Sequence, residues 1–531
     1  MEPIREGLGE KWTSVATFVP KQMRTVSTER LVNLMGAWSA GPRSLQQKLT
    51  LTLRRLIDEG HLPPLARVPS ERALARALAV SRTTVMGAYE ELKTEGYLSS
   101  AQGSGTWVDA RQLRHLGRDQ RQQLFPWPHR LNPPHHPESG TGAMGMVDLS
   151  AVALPALDLV REEATSIDAE EWRGLMSAPG YSPLGLPMLR AAIAEHLSDR
   201  GLETAPEQII VTNGAQQAIS LVMSFWLEPG DTVAIEDPTY PGALSVLRGC
   251  AARIVAVELD QDGFRTEMLE ELLTSESVEL VFVNPTFHNP TGTVLSASRR
   301  RRLAELIEES RTLLVECEVL RDLSLGEVVP PPSLASLIGD GSVVTIGSMS
   351  GLFWSGLRIG WLRGPKHLIA HLGRSKATAD LGTPFIDQLV ATKLLARVDR
   401  AREARRQGLR EGLDKVTELL GTHLPGWSWS PPAGGPLLWL RMHEGDANQF
   451  AQVAARHGVL ILPGPVFSVE ERWADRLRLP FGLPEPVLTT GIERLTRAWN
   501  EYSSRHFPNL VAATTCQVVG DTELSPASIS L

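Results

Sequence analysis

Cysteine is scarce: Cys250, Cys317 and Cys516 are the only three in 531 residues. Their spacing fits no metal-ligand pattern and gives no disulfide framework, so no metal site and no disulfide-stapled secreted fold is expected. A reducing, cytoplasmic compartment is the expected one. No apolar run is long enough to cross a bilayer, so no membrane partner is expected. The opening Met-Glu-Pro-Ile-Arg-Glu-Gly has no apolar core after a basic stretch, which argues against a secretory signal. Net positive charge is also missing. The formal charge is −8, so the chain as a whole does not advertise nucleic-acid binding. Lysine is absent between Lys93 and Lys366, which removes that long stretch as a source of an amine nucleophile.

What is present is enough apolar residue, 42%, to bury well-packed cores. The length implies two or three domains rather than one. The charge is uneven. Residues 43–108 carry nine Lys/Arg against six Asp/Glu, a local net of +3 on an otherwise acidic chain. In that stretch Leu45, Leu49, Leu53, Leu56 and Ile57 recur at helical spacing up to Gly60. Pro63 and Pro64 interrupt helix. Ser70 can cap a second short helix bearing Leu74 and Leu78, and Ser81 a third with Val85, Tyr89 and Leu92 inward, ended by Gly96. Tyr97-Leu98 and Thr106-Trp107-Val108 read as strands around the turn Gly103-Ser104-Gly105. Three helices and a Gly-tipped hairpin outline a winged helix-turn-helix over 41–109, after an extension, 1–40, of little periodicity.

Residues 110–145 read as a linker rich in Arg, Gln, His and Pro. From 146 the pattern turns α/β. Apolar runs at Ile209–Thr212, Thr232–Glu236, Ile254–Val257, Leu280–Val283, Leu313–Glu316 and Val343–Ile346 alternate with helical segments. That predicts a large domain over 146–395 with a mainly parallel sheet, then a smaller α+β domain over 396–505 and a flexible tail, 506–531. Ligand sites in such sheets lie at the C-terminal ends of the strands. Here those ends lead into Asn213-Gly214-Ala215, Asp237-Pro238-Thr239-Tyr240, Asn284-Pro285, Cys317-Glu318 and Gly347-Ser348.

Several stretches carry a resemblance. Val68-Pro69-Ser70-Glu71-Arg72-Ala73-Leu74-Ala75, Val80-Ser81-Arg82-Thr83-Thr84-Val85, Ala88-Tyr89-Glu90-Glu91-Leu92, Glu95-Gly96-Tyr97-Leu98 and Gly103-Ser104-Gly105-Thr106-Trp107-Val108 resemble the GntR-family winged helix. The resemblance implies binding to double-stranded promoter or operator DNA. Arg82, Thr83 and Thr84 stand at the recognition-helix N-terminus after Ser81, where side chains face base edges; Arg suits guanine and Thr suits phosphate or a thymine methyl. Arg72 would reach the groove edge or backbone, and Gly103 and Ser104 would bring the wing tip to the backbone. The competing reading makes these arginines a solvated face of a protein-binding module.

The α/β part resembles the fold-type I pyridoxal-phosphate aminotransferases. The stretches are Tyr181-Ser182-Pro183-Leu184-Gly185 with Leu189-Arg190, Val211 to Ala218, Glu236 to Tyr240, Asn289-Pro290-Thr291-Gly292, and Gly356-Leu357-Arg358-Ile359-Gly360-Trp361. Joined to a GntR-type block, the whole resembles the MocR subfamily of transcriptional regulators. By that resemblance Gly214 and Ala215 would offer backbone N–H groups to a phosphate, with Ser348 and Arg358 as further phosphate ligands. Tyr181 would come from the partner subunit of a head-to-tail homodimer. Tyr240 would stack on the cofactor ring, Asn289 bond its hydroxyl, and Arg478 clamp a carboxylate. The same residues would also serve as scaffold: Gly214 and Gly292 in turns, Tyr240 in packing, Arg358 in a salt bridge.

Two positions depart from the family pattern. Its lysine falls at Gly351 in Ser348-Met349-Ser350-Gly351, and glycine has no amine to hold the cofactor covalently. The aspartate for the ring nitrogen falls at Cys317, and the following tyrosine at Leu320 or Val319. Glu318 could replace that aspartate only by a one-residue slip, which turns a strand residue to the other face. The expectation is a DNA-binding regulator with no catalytic residue, a body that dimerises, and an anionic effector. Pyridoxal phosphate held non-covalently is the alternative effector, and a working aminotransferase the third reading.

Overall fold

The computed structural model describes residues 26, 28–35, 44–58, 62, 66–101, 105–109, 145–310, 312–326, 329–339 and 341–506. Most of the expected extension, the linker to residue 144, the tail beyond 506, and the wing-tip residues Gly103 and Ser104 lie outside them. The chain divides into two compact units, Met1–Arg121 and Gln122–Leu531.

The first unit contains α1 (Thr28–Met35), α2 (Leu45–Asp58), β1 (Arg67–Val68), α3 (Glu71–Ala77), α4 (Arg82–Thr94), β2 (Leu98–Ala101) and β3 (Gly105–Val108). Leu49, Leu53, Leu56 and Ile57 form the buried stripe of α2, while Leu45, expected in that stripe, is 43% exposed at the helix start. Ser70 and Ser81 cap α3 and α4 by accepting from Ala73 N and Thr84 N. Each such cap contributes about 1 kcal/mol. Gly96 takes φ 78° just past α4, a left-handed turn that suits glycine and ends the helix. β3 lies between β1 and β2, antiparallel to both, with Arg67 opposite Trp107 and Leu98 opposite Val108. Two elements differ from expectation. The strand β1 adds a third member to the wing sheet. The extension 1–40 was expected to lie outside the winged helix-turn-helix, yet Leu31 and Met35 of α1 are buried in its core. Eight residues carry too few turns of apolar spacing to announce a helix.

The second unit begins with β4 (Val147–Asp148), α5 (Asp158–Thr165), α6 (Ala169–Met176), α7 (Pro187–Ser198), β5 (Ile209–Thr212), α8 (Ala215–Trp226), β6 (Thr232–Asp237) and α9 (Pro241–Gly249). It continues through β7 (Arg253–Asp260), β8 (Gly263–Phe264), α10 (Thr266–Ser275), β9 (Leu280–Val283), α11 (Ala297–Ser310), β10 (Leu313–Cys317), β11 (Val343–Ser348) and β12 (Gly360–Arg363). These strands form one sheet in the order β5-β12-β11-β10-β9-β6-β7-β8. Six run parallel; β12 and the edge strand β8 run against them. Both faces are covered, so side chains alternate between two cores. Val281 and Val283 enter one core, Leu280 and Phe282 the other. A fully buried valine, leucine or phenylalanine contributes about 1.5–3 kcal/mol, and such strands read as continuous apolar runs.

Then come α12 (Lys366–Asp380), α13 (Phe385–Leu395), α14 (Val398–His423), β13 (Leu437–Arg441), α15 (Ala447–Arg456), β14 (Val459–Leu460), β15 (Leu462–Pro463), β16 (Arg476–Pro480) and α16 (Glu485–His506). The antiparallel sheet β13-β16-β15 and the helices α14–α16 enclose a third core. Residue 146 was expected to open the large domain. Instead β4 pairs with β14, and Val147, Leu149 and Leu154 pack in the smaller core before the chain enters the larger one. Two short strands so far apart in sequence leave no local periodicity to read.

Candidate functional site

In the first unit α4 starts at Arg82. The Ser81 hydroxyl is committed to the cap: it lies 2.7 Å from Thr83 Oγ1 and 2.8 Å from Thr84 Oγ1, and accepts from Thr84 N at 3.1 Å. Arg72, Arg82 and Thr83 are exposed; Thr84 is half-buried. The Arg82 guanidinium donates to Glu71 Oε2 at 3.2 Å, so the preceding helix holds it. Sequence reasoning missed that pairing and also missed Met86, 41% exposed and one turn beyond Arg82. The i, i+4 spacing from Arg82 was the available signal. Behind this face Tyr89 is buried and donates to Pro69 O at 2.9 Å, tying α4 to the start of α3.

In the second unit the C-terminal ends of β5, β6, β9, β10 and β11 meet the smaller core around a cavity of about 340 Å³. Ala215, Tyr240, Asn289, Ser348, Arg358 and Arg478 all line it, together with Gly351 and Cys317. Gly214 sits behind the lining with φ 81°. A Cβ there would come 2.6 Å from Arg358 Nη2, so only glycine lets the guanidinium reach the start of α8. Arg358 follows a short 3₁₀ turn, has left-handed φ 52°, and donates to Asn213 O at 2.7 Å. The Asn213 and Gln217 side-chain amides donate to Asp380, which also accepts from the buried Lys376 ammonium at 2.8 Å. Ser348 Oγ lies 3.2 Å from Ile359 O and accepts from Ser350 N at 3.2 Å. This corner offers backbone N–H groups at a helix N-terminus, a hydroxyl and a guanidinium, a donor set suited to a phosphate.

The opposite set is different. Arg478 is 2% exposed, donates to Asn289 Oδ1 at 3.2 Å and Ser150 O at 2.6 Å, and lies 5.0 Å above the Phe467 ring. Tyr240 donates to Gln216 Oε1 at 3.0 Å. Cys317 ends β10, and burial pushes its thiol up to about 12, so the floor there is neutral. Glu318 does not line the cavity; it accepts from Thr286 Oγ1 at 3.0 Å and Arg321 Nη1 at 3.1 Å. Among the described residues no lysine lines the cavity. Tyr181 is not brought in either: it is 67% exposed and absent from the lining. Asn284, named from the sequence at the end of its strand, also lines the cavity; sequence reasoning missed Gln216, Ser350 and Ser355, polar residues within or beside motifs that were read, and the apolar wall of Val319, Leu320 and Leu323.

Pyridoxal phosphate therefore fits at one end only. Its phosphate has donors. At the other end Gly351 brings no amine to the lining, and Cys317 brings a thiol that burial keeps protonated rather than a carboxylate. Among the described residues no group of three or more His, Cys, Asp and Glu is placed to hold a metal, and no helix is long and apolar enough to cross a membrane.

Comparison with known proteins places both units. Residues 45–108 match the bacterial regulatory proteins of the gntR family. Residues 168–495 match aminotransferase class I and II. The HTH-type transcriptional regulator TauR of Rhodobacter capsulatus is 30% identical over 495 residues, 86% of this chain and 97% of its own. The probable rhizopine catabolism regulatory protein MocR of Rhizobium meliloti is 31% identical over 335 residues, 61% of this chain and 66% of its own. Among solved structures, the α-aminoadipate aminotransferase LysN of Thermus thermophilus, complexed with N-(5'-phosphopyridoxyl)-L-leucine, matches with TM-score 0.62 at 29% identity over 67% of this chain and 92% of its own. The chain belongs to the MocR/TauR-type transcription regulators, a GntR winged helix-turn-helix followed by a domain of the class I and II aminotransferases, whose fold family uses pyridoxal phosphate.

Proposed function

We propose that this regulator has given up aminotransferase chemistry and uses the cavity as a non-covalent site for an anionic effector. The observation that carries the reading is the joint lining of one cavity by Gly351, Cys317, Ser348 and Arg358. The groups for covalent capture and for an electron sink are gone, while the anion cradle is intact. Arg82, Thr83 and Thr84 read base edges in the major groove, with Ser81 capping the helix that presents them; Arg72, with Gly103 and Ser104, sets the backbone contacts. The regulator works in the cytoplasm as a head-to-tail homodimer. Tyr181, exposed beside Ser182 and its bridge to Gly382, then completes the partner's cavity. A dimer presents two helix blocks to paired half-sites, and an effector regulates by preferring one arrangement of them.

The test is incubation with pyridoxal phosphate, desalting, borohydride reduction and mass analysis of the full chain. The reading expects no reduced adduct on a cavity residue. It also expects binding of a phosphorylated or carboxylated metabolite that Arg358→Ala abolishes. An adduct would restore the enzyme reading; no binding across a metabolite panel would leave the domain a dimerising scaffold. Pyridoxal phosphate as the effector itself is a second reading, favoured by the phosphate-binding corner. Retention of unmodified cofactor by mass, without adduct, would select it.

A further inference from the structure

We propose that the cavity selects a ligand with two anionic ends and no cationic centre, such as a phosphorylated carboxylic acid without an amino group. This rests on the reading that the cavity binds its ligand without a covalent bond, and it names the class of ligand.

The cavity lining carries charge of one sign. Among the described residues that line the cavity, the charged side chains are Arg358 and Arg478; no Asp, Glu, Lys or His joins them. The two guanidiniums come from different elements, Arg358 from the turn before β12 and Arg478 from β16. The wall also holds Val319, Leu320, Leu323 and the neutral Cys317. Nearby carboxylates exist but are turned into internal bonds. Glu236 accepts from Asn284 N and Nδ2, Glu316 from Ser333 Oγ and Leu334 N, and Glu318 from Thr286 and Arg321.

An α-ammonium or a protonated ring nitrogen entering this cavity would leave water for a site with two like charges and no counter-charge. Desolvation and repulsion both oppose it. A hydroxyl, a keto oxygen or a methylene at the same place meets neither cost. Two anionic ends, in contrast, each gain a charge-assisted bond to a guanidinium. The preference is opposite to that of a floor carrying an aspartate where Cys317 stands, because a carboxylate there would stabilise a cation.

Matched probes test the class by isothermal titration calorimetry on the full chain. One pair is O-phospho-L-serine and 3-phosphoglycerate. The other, longer pair is O-phospho-L-tyrosine and its desamino counterpart. Within a pair the chief difference is the ammonium. The amine-free member of at least one pair should bind roughly tenfold tighter or more, and Arg358→Ala, an exposed position, should abolish that binding. Cys317→Asp should shrink the ratio between members. Equal or tighter binding of the ammonium members overturns the ligand class and leaves the non-covalent reading standing. A ratio unchanged in Cys317→Asp also overturns it, because the missing carboxylate would not be its cause. No binding of any of the four probes, of inorganic phosphate or of pyridoxal phosphate overturns both readings.

Discussion

Restoring the missing amine is the sharpest perturbation of the cavity. An ideal Cβ on Gly351 would lie 3.2 Å from Leu323 Cδ1 and 3.6 Å from Val319 O. The first is the end of a flexible side chain, so a few tenths of an ångström of movement admit Gly351→Lys. The electrostatic cost is larger. The new ammonium would share a cavity with Arg358 and Arg478 and no carboxylate among its described lining residues. A depression of about 3 units from the free lysine value of about 10.4, at about 1.4 kcal/mol per unit, costs about 3–4 kcal/mol at pH 7. The unfolded state then binds more protons than the folded one, so stability rises with pH and the deficit narrows between about pH 7 and 9. The same depression leaves a large share of the amine unprotonated and nucleophilic at neutral pH. The assay pairs thermal melts at the two pH values with pyridoxal phosphate treatment, borohydride reduction and peptide mapping. We expect a lower melting temperature at pH 7, partial recovery at pH 9, and an adduct on the peptide containing residue 351 that the natural sequence lacks. A folded variant that retains the cofactor yet gives no adduct there would refute the placement of Gly351 opposite the cofactor's aldehyde.

Arg82→Ala should weaken operator binding by about 1–3 kcal/mol and relax base preference at one position of each half-site, read by mobility shift across operator variants. Glu71→Gln, which removes the brace on Arg82, should cost less than about 1 kcal/mol, because the Arg82 side chain of that ion pair is 67% exposed. Arg405 is buried and donates to the carbonyls of Leu352, Phe353 and Pro155 at 2.7–2.8 Å. Arg405→Met leaves the buried Leu352 carbonyl unmet, while Phe353 O keeps its bond from Leu157 N and Pro155 is exposed, so it should cost about 1–3 kcal/mol in urea unfolding. Burial pushes His196 down to about 3, with the neighbouring Arg200 adding to it. The folded histidine stays neutral while the unfolded one takes a proton below about 6.5. Stability should therefore fall by about 1–2 kcal/mol between pH 6.5 and 5, and His196→Phe should flatten that part of the pH–stability curve.

Local rules carried much of the helix block. A stripe at helical spacing, two serine caps and a glycine stop each act within one or two turns, and the residues that obey them are contiguous. What escaped was non-local. The turns of α1 are too few to show a period, and its burial depends on a core assembled from later helices. The β4–β14 pair joins residues more than 300 positions apart, so nothing near Val147 announces that it packs with Val459. The Arg82–Glu71 brace and the Asp380 network behind Asn213 likewise depend on which helices meet. The apolar runs foretold a sheet, but not that β12 would run antiparallel inside it; direction is set by the connection, not by composition.

The end of β10 tests how far a simple alternation can carry. Strand side chains switch faces at every residue. Leu313, Val315 and Cys317 enter one core and Leu314 the other, and the Glu316 carboxylate bonds Ser333 Oγ and Leu334 N on that second side. Glu318 keeps the parity of Glu316, and its carboxylate goes to Thr286 and Arg321 rather than into the cavity. Turning Glu318 inward would need a one-residue slip, which would carry Cys317 out of its core and strip Glu316 of its donors. The carboxylates therefore lie within a residue of the cavity floor and are barred from it by the sheet's own register. The floor is neutral because of the residue at position 317 and not for want of acid nearby, and Cys317→Asp is consequently a one-residue change that puts a carboxylate on the floor without disturbing the strand register.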